Sequence, residues 1–423
     1  MLITILTTGT RGDIQPYLAL GIELKKAGHL PRIAGFENYA TFVKSYGLEF
    51  YPIAGDVSSV ALSESAQGAM KADNPLKVFL SFNKLKAYLP DIQRDFFDAC
   101  VGSDAIVYHP GAAIGYFIAQ QHQIPGILAT PFPMTPTAAY PALIFYDTFR
   151  FGKRFNLVTH RIFEQIMWFA SRSAVKQFWK KKFGKVPANF ASPFRMQNSE
   201  EFPTIISCSN YVFPRPNDWP EHVHNTGYWF LEDTGDWTPG QDLMDFLQDG
   251  APPVYVGFGS IGDPAQAQQT TELVIDALKR SGQRGILATG WNAMVKIAHI
   301  PEGIFMLDSA PHTWLFPRMA AVAHHGGAGT TAAGLRAGVP SIIIPYSNDQ
   351  FAWGRRVYEL GVGPKPIPRK KLTVENLSDA INAAVREEIR AAAQDLGRKI
   401  QGENGAETAV KIIMNCVELS KVV

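Results

Sequence analysis

At 423 residues the chain exceeds what one ordinary core fills, so two domains are expected. With 46% hydrophobic and 18% charged residues it reads as a soluble globular protein, and a formal net charge of +2 gives no overall field that would attract nucleic acid. Three widely separated cysteines, Cys100, Cys208 and Cys416, have no metal-ligand spacing and an odd count, which points to a reduced, cytoplasmic setting.

The chain opens on an apolar strand, 2–7, so no signal peptide is expected. A helix over 14–27, a strand over 31–35, a helix over 39–46 and a strand over 50–53 follow. Further on come a strand over 105–108, a helix over 112–122 and a strand over 126–130. This alternation predicts a parallel sheet with helices on both faces. The loop Gly9-Thr10-Arg11-Gly12 is not GxGxxG, so a dinucleotide fingerprint is absent from this half.

The proline-broken segment 130–146 cannot span a membrane, which needs roughly 20 uninterrupted apolar residues. Its Phe132, Met134, Tyr140, Phe145 and Tyr146 suit the wall of an apolar acceptor pocket near the strand ends, with plain core packing as the other reading. Between 150 and 185, Phe155, Val158, Ile162, Ile166 and Phe169 recur at helical spacing among ten Lys and Arg residues, with Glu164 the only acid. Two readings stay open for this stretch. It is a basic amphipathic helix lying on an anionic membrane surface, or a helix packed over the sheet with a solvated basic face.

Prolines 214, 216 and 220 with scattered Asp and Gly predict a linker over 215–237. The pattern then restarts, with strands over 254–257, 285–288 and 303–307 and a helix over 270–281. The most informative stretch is 325–340, HGGAGTTAAGLRAGVP, after an apolar strand over 319–324. Gly326, Gly327 and Gly329 let backbone N–H groups approach a ligand, and Thr330 and Thr331 open a helix that Gly338-Val339-Pro340 closes. A helix start with free N–H groups, hydroxyls and the His325 imidazole suits a phosphate. The strand over 341–345 leads to Asp349-Gln350, a carboxylate beside a carboxamide, which can clamp the vicinal hydroxyls of a sugar. The alternative is an ordinary glycine turn between strand and helix. The tail from Asn376 is helical, with Leu377, Ile381, Ile400, Val410, Ile413 and Val417 on its apolar stripe.

Residues 325–350 are similar to the donor signature of the UDP-sugar glycosyltransferases with the glycosyltransferase B fold. Within that superfamily GTRGDIQPYLALG at 9–21, PNDWPEHVHNTGYWFL at 216–231 and VYVGFGS at 254–260 resemble the sterol 3-beta-glucosyltransferases. The resemblance implies two Rossmann-like domains facing across a cleft. They are an acceptor-binding domain over 1–214, a linker over 215–237, a nucleotide-sugar-binding domain over 238–395, and a last helix over 396–423 crossing back to the first. It further implies inverting transfer of glucose from UDP-glucose, a co-substrate rather than a cofactor, to the hydroxyl of a sterol or similar apolar lipid.

Asp13, in a glycine-framed loop at the end of the first strand, is the candidate general base, with helix capping as the competing role. His109, after the strand 105–108, is placed with the acceptor pocket and is the next candidate. The wider superfamily's plant members carry His where this chain has Asp13, and the sterol branch carries Asp. Thr10, Arg11, Ser260, Trp291, Ala310, His312, His325, Gly327, Ala328, Gly329, Thr330, Asp349 and Gln350 form the expected donor set. Ser309 and Ala333 depart from the Trp and Glu that plant relatives use on the nucleoside, so uridine is inherited by resemblance. No carboxylate pair stands where a metal would bridge the phosphates, and helix-start dipoles can replace one, so no metal is expected. A cytoplasmic location, with membrane contact only at the inner surface, completes the expectation. The competing readings are an antibiotic or polyketide tailoring transferase, a nucleotide-sugar epimerase and a non-catalytic lipid-binding protein.

Overall fold

The computed structural model describes residues 1–55, 89–147, 151–198, 202–232, 237–259, 264–289, 293–346 and 349–421. Two compact units emerge, Met1–Leu231 with Glu403–Val423, and Glu232–Gly402.

The first unit runs β1 (Leu2–Leu6), α1 (Arg11–Lys26), β2 (Leu30–Phe36), α2 (Ala40–Ser45), β3 (Glu49–Ile53), α3 (Leu89–Ala99), β4 (Ala105–Tyr108), α4 (Ile114–His122) and β5 (Gly126–Thr130). It continues with α5 (Lys153–Phe183), α6 (Pro193–Gln197), β6 (Thr204–Ile206) and β7 (Val223–Asn225). The strands form one parallel sheet in the order β3-β2-β1-β4-β5-β6-β7. Successive side chains of a strand alternate faces. Accordingly Ile3, Ile5 and Val107 join one core with α1, while Leu6, Ile106 and Tyr108 join the other with Phe117, Trp168 and Trp179. Both faces are covered, as a parallel sheet requires.

The second unit runs α7 (Gln241–Gln248), β8 (Val254–Gly257), α8 (Ala267–Ser281), β9 (Gly285–Ala288), β10 (Ile304–Leu307), α9 (His312–Leu315), β11 (Ala321–His324), α10 (Ala328–Ala337), β12 (Ser341–Ile343), α11 (Gln350–Glu359), α12 (Val374–Ala384) and α13 (Glu387–Gln401). Its parallel sheet is ordered β10-β9-β8-β11-β12. Here Val254, Val256 and Ala323 face one core while Tyr255, Ile286 and Val322 face the other. The last helix, α14 (Gly405–Ser420), returns the chain to the first unit, where Ala409, Val410, Ile413 and Val417 join the α1 core.

Two sequence readings need correction. Residues 215–231, read as linker, belong to the first unit and supply β7, a three-residue strand too short to show periodicity among prolines. The tail read as one crossing helix from 396 is divided at Gly402: α13 belongs to the second unit and α14 to the first. For α5 the sequence left two readings open. The helix buries His160, Phe163, Trp168, Val175 and Trp179, while Val158, Ile162, Ile166 and Phe169 of the stripe lie on the opposite, exposed face and Phe155 is partly buried. No described helix is long and apolar enough to cross a membrane.

Glu164 is the acid that α5 turns inward. It is 4% exposed, accepts from the Asn198 amide at 2.8 Å, and burial pushes its carboxyl up to about 7. The folded state therefore favours the protonated form, and this stabilisation, present at acidic pH, is lost as pH rises from the ordinary carboxylate range through 7. Glu164→Gln is expected to be more stable than the native chain at pH 8, by about 1–3 kcal/mol, and to show no gain at pH 4. Urea unfolding at the two pH values checks this.

Candidate active site

In an open parallel sheet, ligands collect beyond the carboxyl ends of strands where the order reverses direction. The first sheet reverses between β1 and β4, which pair with Leu6 beside Tyr108. The second reverses between β8 and β11, which pair with Gly257 beside His324. The two segments leaving the first reversal carry Asp13, in the first turn of α1, and His109. Those leaving the second carry Gly259 and His325.

In the first unit, Gly9 (φ +104°) turns the chain off β1 into α1. A Cβ at Gly9 would sit 2.7 Å from the Asp13 carboxyl carbon, so the carboxylate folds back over this glycine. Asp13 is the third residue of α1. Its Oδ2 accepts from the Thr10 N–H at 2.6 Å and the Thr10 hydroxyl at 2.9 Å, so the competing capping role is present in the structure. Oδ1 takes no part in that cap. His109 is partly buried, its ring edge-on to Tyr17 with centroids 5.8 Å apart. Burial lowers its pKa, against the pull of the Asp13 charge. His109 Nδ1 accepts from the Gly111 N–H at 3.0 Å, which puts the proton of the neutral ring on Nε2 and leaves no open lone pair to act as a base. Tyr17, one turn after Asp13, is fully buried and donates to the Ala129 carbonyl at 2.6 Å. Burial and then the Asp13 charge raise its pKa. Sequence reasoning did not single out Tyr17. Thr10 and Arg11 are at the helix start, with the Arg11 guanidinium 4.4 Å from the Phe42 ring centre.

In the second unit the helix after β11 starts at Ala328, two residues earlier than the threonines suggested, with Gly327 as N-cap. The Thr331 N–H already bonds the Gly327 carbonyl, at 2.9 Å. The N–H groups of Ala328, Gly329 and Thr330 therefore precede the first helical hydrogen bond and point out of the helix start. Nothing lies within 4 Å of where a Gly329 Cβ would be. His325 is flanked by two glycines. A Cβ on Gly327 would come within 2.6 Å of its Nε2, and one on Gly259 (φ +61°) within 3.2 Å of its Cε1. Burial pushes the His325 pKa down to about 4, and its buried Nδ1 has no hydrogen-bond partner among the described residues. Gly259 is the supporting residue that sequence reasoning missed, although it lies in the VGFGS motif. His324 points the other way, fully buried, its Nδ1 accepting from the Gly326 N–H at 3.1 Å. The two rings are 6.3 Å apart at 83°. Among the described residues no group of three His, Cys, Asp or Glu could hold a metal ion.

Gly326 (φ +87°) brings this loop against α11, since its Cβ would meet the Gln350 carbonyl at 3.1 Å. Asp349 occupies the position before α11 without a side-chain capping bond, and its carboxylate accepts from the indole of the fully buried Trp353 at 3.1 Å. Gln350 Oε1 accepts from the Tyr346 N–H at 2.8 Å. Both side chains thus hold their own loop, and Gln350 also lies against Gly326. His312 stacks on Phe316 with centroids 4.3 Å apart, and Ala310 is partly buried against the same core. Ser260 and Trp291 lie outside the described residues.

The expected acceptor wall is split by the structure. Met134 and Tyr146 are 2% and 3% exposed, in keeping with the core-packing reading of this segment. Phe132, Tyr140 and Phe145 are partly exposed. The segment is tied down along its length. His160 bridges the Met134 and Tyr140 carbonyls, Thr159 accepts from the Ala142 N–H, and Asp218 accepts from Thr137 and the Ala138 N–H. A cavity of about 560 Å³ opens beside β3, lined by Glu37, Tyr51, Ile53, Gly55 and Asp95, and none of the residues selected from sequence lines it.

Comparison with known proteins agrees with this geometry. Residues 3–141 match the glycosyltransferase family 28 N-terminal domain, and residues 272–419 match the erythromycin biosynthesis protein CIII-like C-terminal domain. Among solved structures, the glycotransferase of kitacinnamycin aligns over 98% of both chains with a TM-score of 0.72 at 19% identity. The calicheamicin glycosyltransferase CalG4 aligns over 99% of this chain and 98% of its own, with a TM-score of 0.67 at 17% identity. These likenesses show the glycosyltransferase B fold. In sequence the chain is 34% identical over 422 residues to the sterol 3-beta-glucosyltransferase UGT80B1 of Arabidopsis thaliana, covering 96% of this chain and 67% of that protein. It is 37% identical over 431 residues to the sterol 3-beta-glucosyltransferase of Emericella nidulans, covering 98% of this chain and 30% of that one. The chain thus spans about two thirds of its plant relatives and under a third of its fungal ones. With Asp13 folded over Gly9, the His325 helix start and a plant relative 34% identical over 96% of this chain and 67% of its own length, the chain belongs to the sterol 3-beta-glucosyltransferase family of the UDP-glycosyltransferase superfamily.

Proposed function

We propose that this protein transfers glucose, with inversion, from UDP-glucose to the hydroxyl of a sterol or similar apolar lipid. The observation that carries the reading is the helix start of α10, where three outward N–H groups stand beside an imidazole wedged between Gly259 and Gly327. Such a cradle stabilises the negative charge that collects on a departing diphosphate.

In the proposed step the acceptor oxygen attacks C1 of the glucose while its proton passes to Asp13 Oδ1. The C1–O bond to the diphosphate breaks, and UDP leaves with the electron pair. A single displacement of this kind inverts the configuration at C1. Because Asp13 is also held by Thr10, it is oriented before the acceptor arrives. A carboxylate is a weak base towards an alcohol, so proton transfer runs late, alongside attack. Neither a metal nor a cofactor enters this proposal, and it places the protein in the cytoplasm, at the inner surface of a membrane that supplies the acceptor.

Incubation with UDP-glucose and a panel of sterols, other hydroxylated lipids and polyketide aglycones, with products weighed by mass spectrometry, tests the reading. A sterol or lipid glucoside is the expected product, formed equally in the presence of a chelator. Glucosylation confined to polyketide aglycones would transfer the assignment to antibiotic tailoring, the reading favoured by the match to the erythromycin-type C-terminal domain.

Asp349 and Gln350 are proposed to read the sugar hydroxyls. A hydroxyl left without its buried partner costs about 1–3 kcal/mol. Asp349→Ala is therefore expected to weaken UDP-glucose binding by about ten- to a hundredfold and UDP much less. Calorimetry with both ligands decides the matter, since equal losses mean that the Asp349 carboxylate only holds Trp353.

A further inference from the structure

Helix α5 has two apolar faces. One is buried against the first unit's core through His160, Phe163, Trp168, Val175 and Trp179. On the opposite side Val158, Ile162, Ile166 and Phe169 form a continuous stripe, each one helical turn from the next. They are 50%, 44%, 38% and 64% exposed. A soluble helix places polar side chains on that side, and an exposed row of large aliphatic and aromatic groups is a contact surface. Roughly a quarter-turn round the helix from this stripe stand Arg154, Arg161 and Arg172, and beyond its end Lys176 and Lys180 continue along the same line, all exposed. The helix's one acid, Glu164, points into the core. The outer face therefore carries apolar groups and positive charge, with no carboxylate of its own helix to oppose them.

We propose that this outer face of α5 is a docking surface for an anionic lipid bilayer, with Val158, Ile162, Ile166 and Phe169 entering the headgroup boundary and the flanking arginines and lysines meeting lipid phosphates. Charge complementarity selects this occupant. A second protein copy would bring the same positive face against itself, whereas an anionic bilayer satisfies both the apolar stripe and the cations. The proposal deepens the membrane-surface placement made above by naming the face that meets the bilayer, and because its test uses neither sterol nor nucleotide sugar, its failure is distinguishable from failure of the glycosyl-transfer reading.

Vesicle co-sedimentation of the full chain, with no sterol and no nucleotide sugar present, tests it. The expected result is binding to phosphatidylcholine vesicles containing phosphatidylglycerol, with much weaker binding to phosphatidylcholine alone, and loss of the difference at about 1 M salt, where the Debye length is roughly 3 Å. Ile162→Glu/Ile166→Glu should lower binding by about tenfold or more. Arg154→Gln and Arg161→Gln should each lower it about fivefold, the equivalent of about 1 kcal/mol per charge near the surface. Leu419→Glu, which places the same charge at an exposed leucine of α14, should leave binding unchanged. All these side chains are exposed, so melting temperatures should hold, and UDP affinity serves as an independent measure of folding. The proposal is overturned if the native chain ignores anionic vesicles, if the double Glu variant binds them as well as the native chain does, or if sedimentation shows a dimer that this variant dissociates while vesicle binding is absent.

Discussion

Asp13→Asn is expected to lower turnover by about 10² to 10⁴-fold, the usual worth of a general base, with UDP affinity and melting temperature little changed. The substitution separates the two roles the structure gives this side chain. Asn keeps an oxygen that can accept from the Thr10 N–H and hydroxyl, so the cap at the start of α1 survives, while the basic lone pair on the second oxygen becomes an amide N–H. Thr10→Ala is the complementary change. It removes one bond of the cap, costing about 0.5–2 kcal/mol of stability, and leaves the carboxylate in place. If Asp13→Asn retains near-native turnover, Asp13 is a cap only. His109 does not then inherit the role in its present state, because its Nδ1 is engaged by the Gly111 N–H and Nε2 carries the proton.

His325→Ala should weaken UDP binding by about ten- to a hundredfold, the range for a hydrogen bond to a charged group of about 1.5–3 kcal/mol. Turnover should fall with it, while acceptor binding stays in place. Calorimetry with UDP reads the first effect, and native UDP affinity in the variant would remove His325 from the donor site. A second readout comes from pH. Burial holds the folded His325 pKa at about 4, below the ordinary histidine value of about 6.5. Between those values the unfolded chain takes up a proton that the folded chain refuses, so this contribution to stability is complete above pH 6.5 and is lost as pH falls towards 4. At pH 5 it should amount to about 1–2 kcal/mol. Urea unfolding of His325→Ala should show a correspondingly shallower fall between pH 7 and pH 5.

Much of this architecture was legible in the chain. The strands at 105–108, 126–130, 254–257 and 285–288 are found as read, because fully buried parallel strands are apolar runs cut off by turn residues. β6 and β7 escaped because three residues carry no period, and Thr204, though wholly buried, reads as polar. The first turn of α10 was misplaced because Ala328 and Gly329 look like loop, whereas the helix starts wherever the glycine N-cap ends. Spacing identified the α5 stripe but not its direction. Periodicity marks a face of a helix, and a helix apolar on two sides offers no way to choose which one is buried. For the site, the residue types were visible while the constraints on them were not. Nothing in the sequence says that Asp13 is tied to Thr10, or that Gly259 and Gly327 must both lack a Cβ for the His325 ring to fit.

The discontinuous make-up of the first unit sets the order in which the protein can be completed. Its α1 core includes Ala409, Val410, Ile413 and Val417 from α14, the last described helix, and the Lys421 ammonium reaches the sulfur of Met1 at 3.3 Å. A ribosome must therefore finish the whole of the second unit before the first can close, reversing the usual expectation that N-terminal domains fold first during synthesis. Until α14 emerges, the apolar positions of α1 that it covers stay open to water, and a nascent chain stalled near Gly402 would present that surface to chaperones rather than a finished domain.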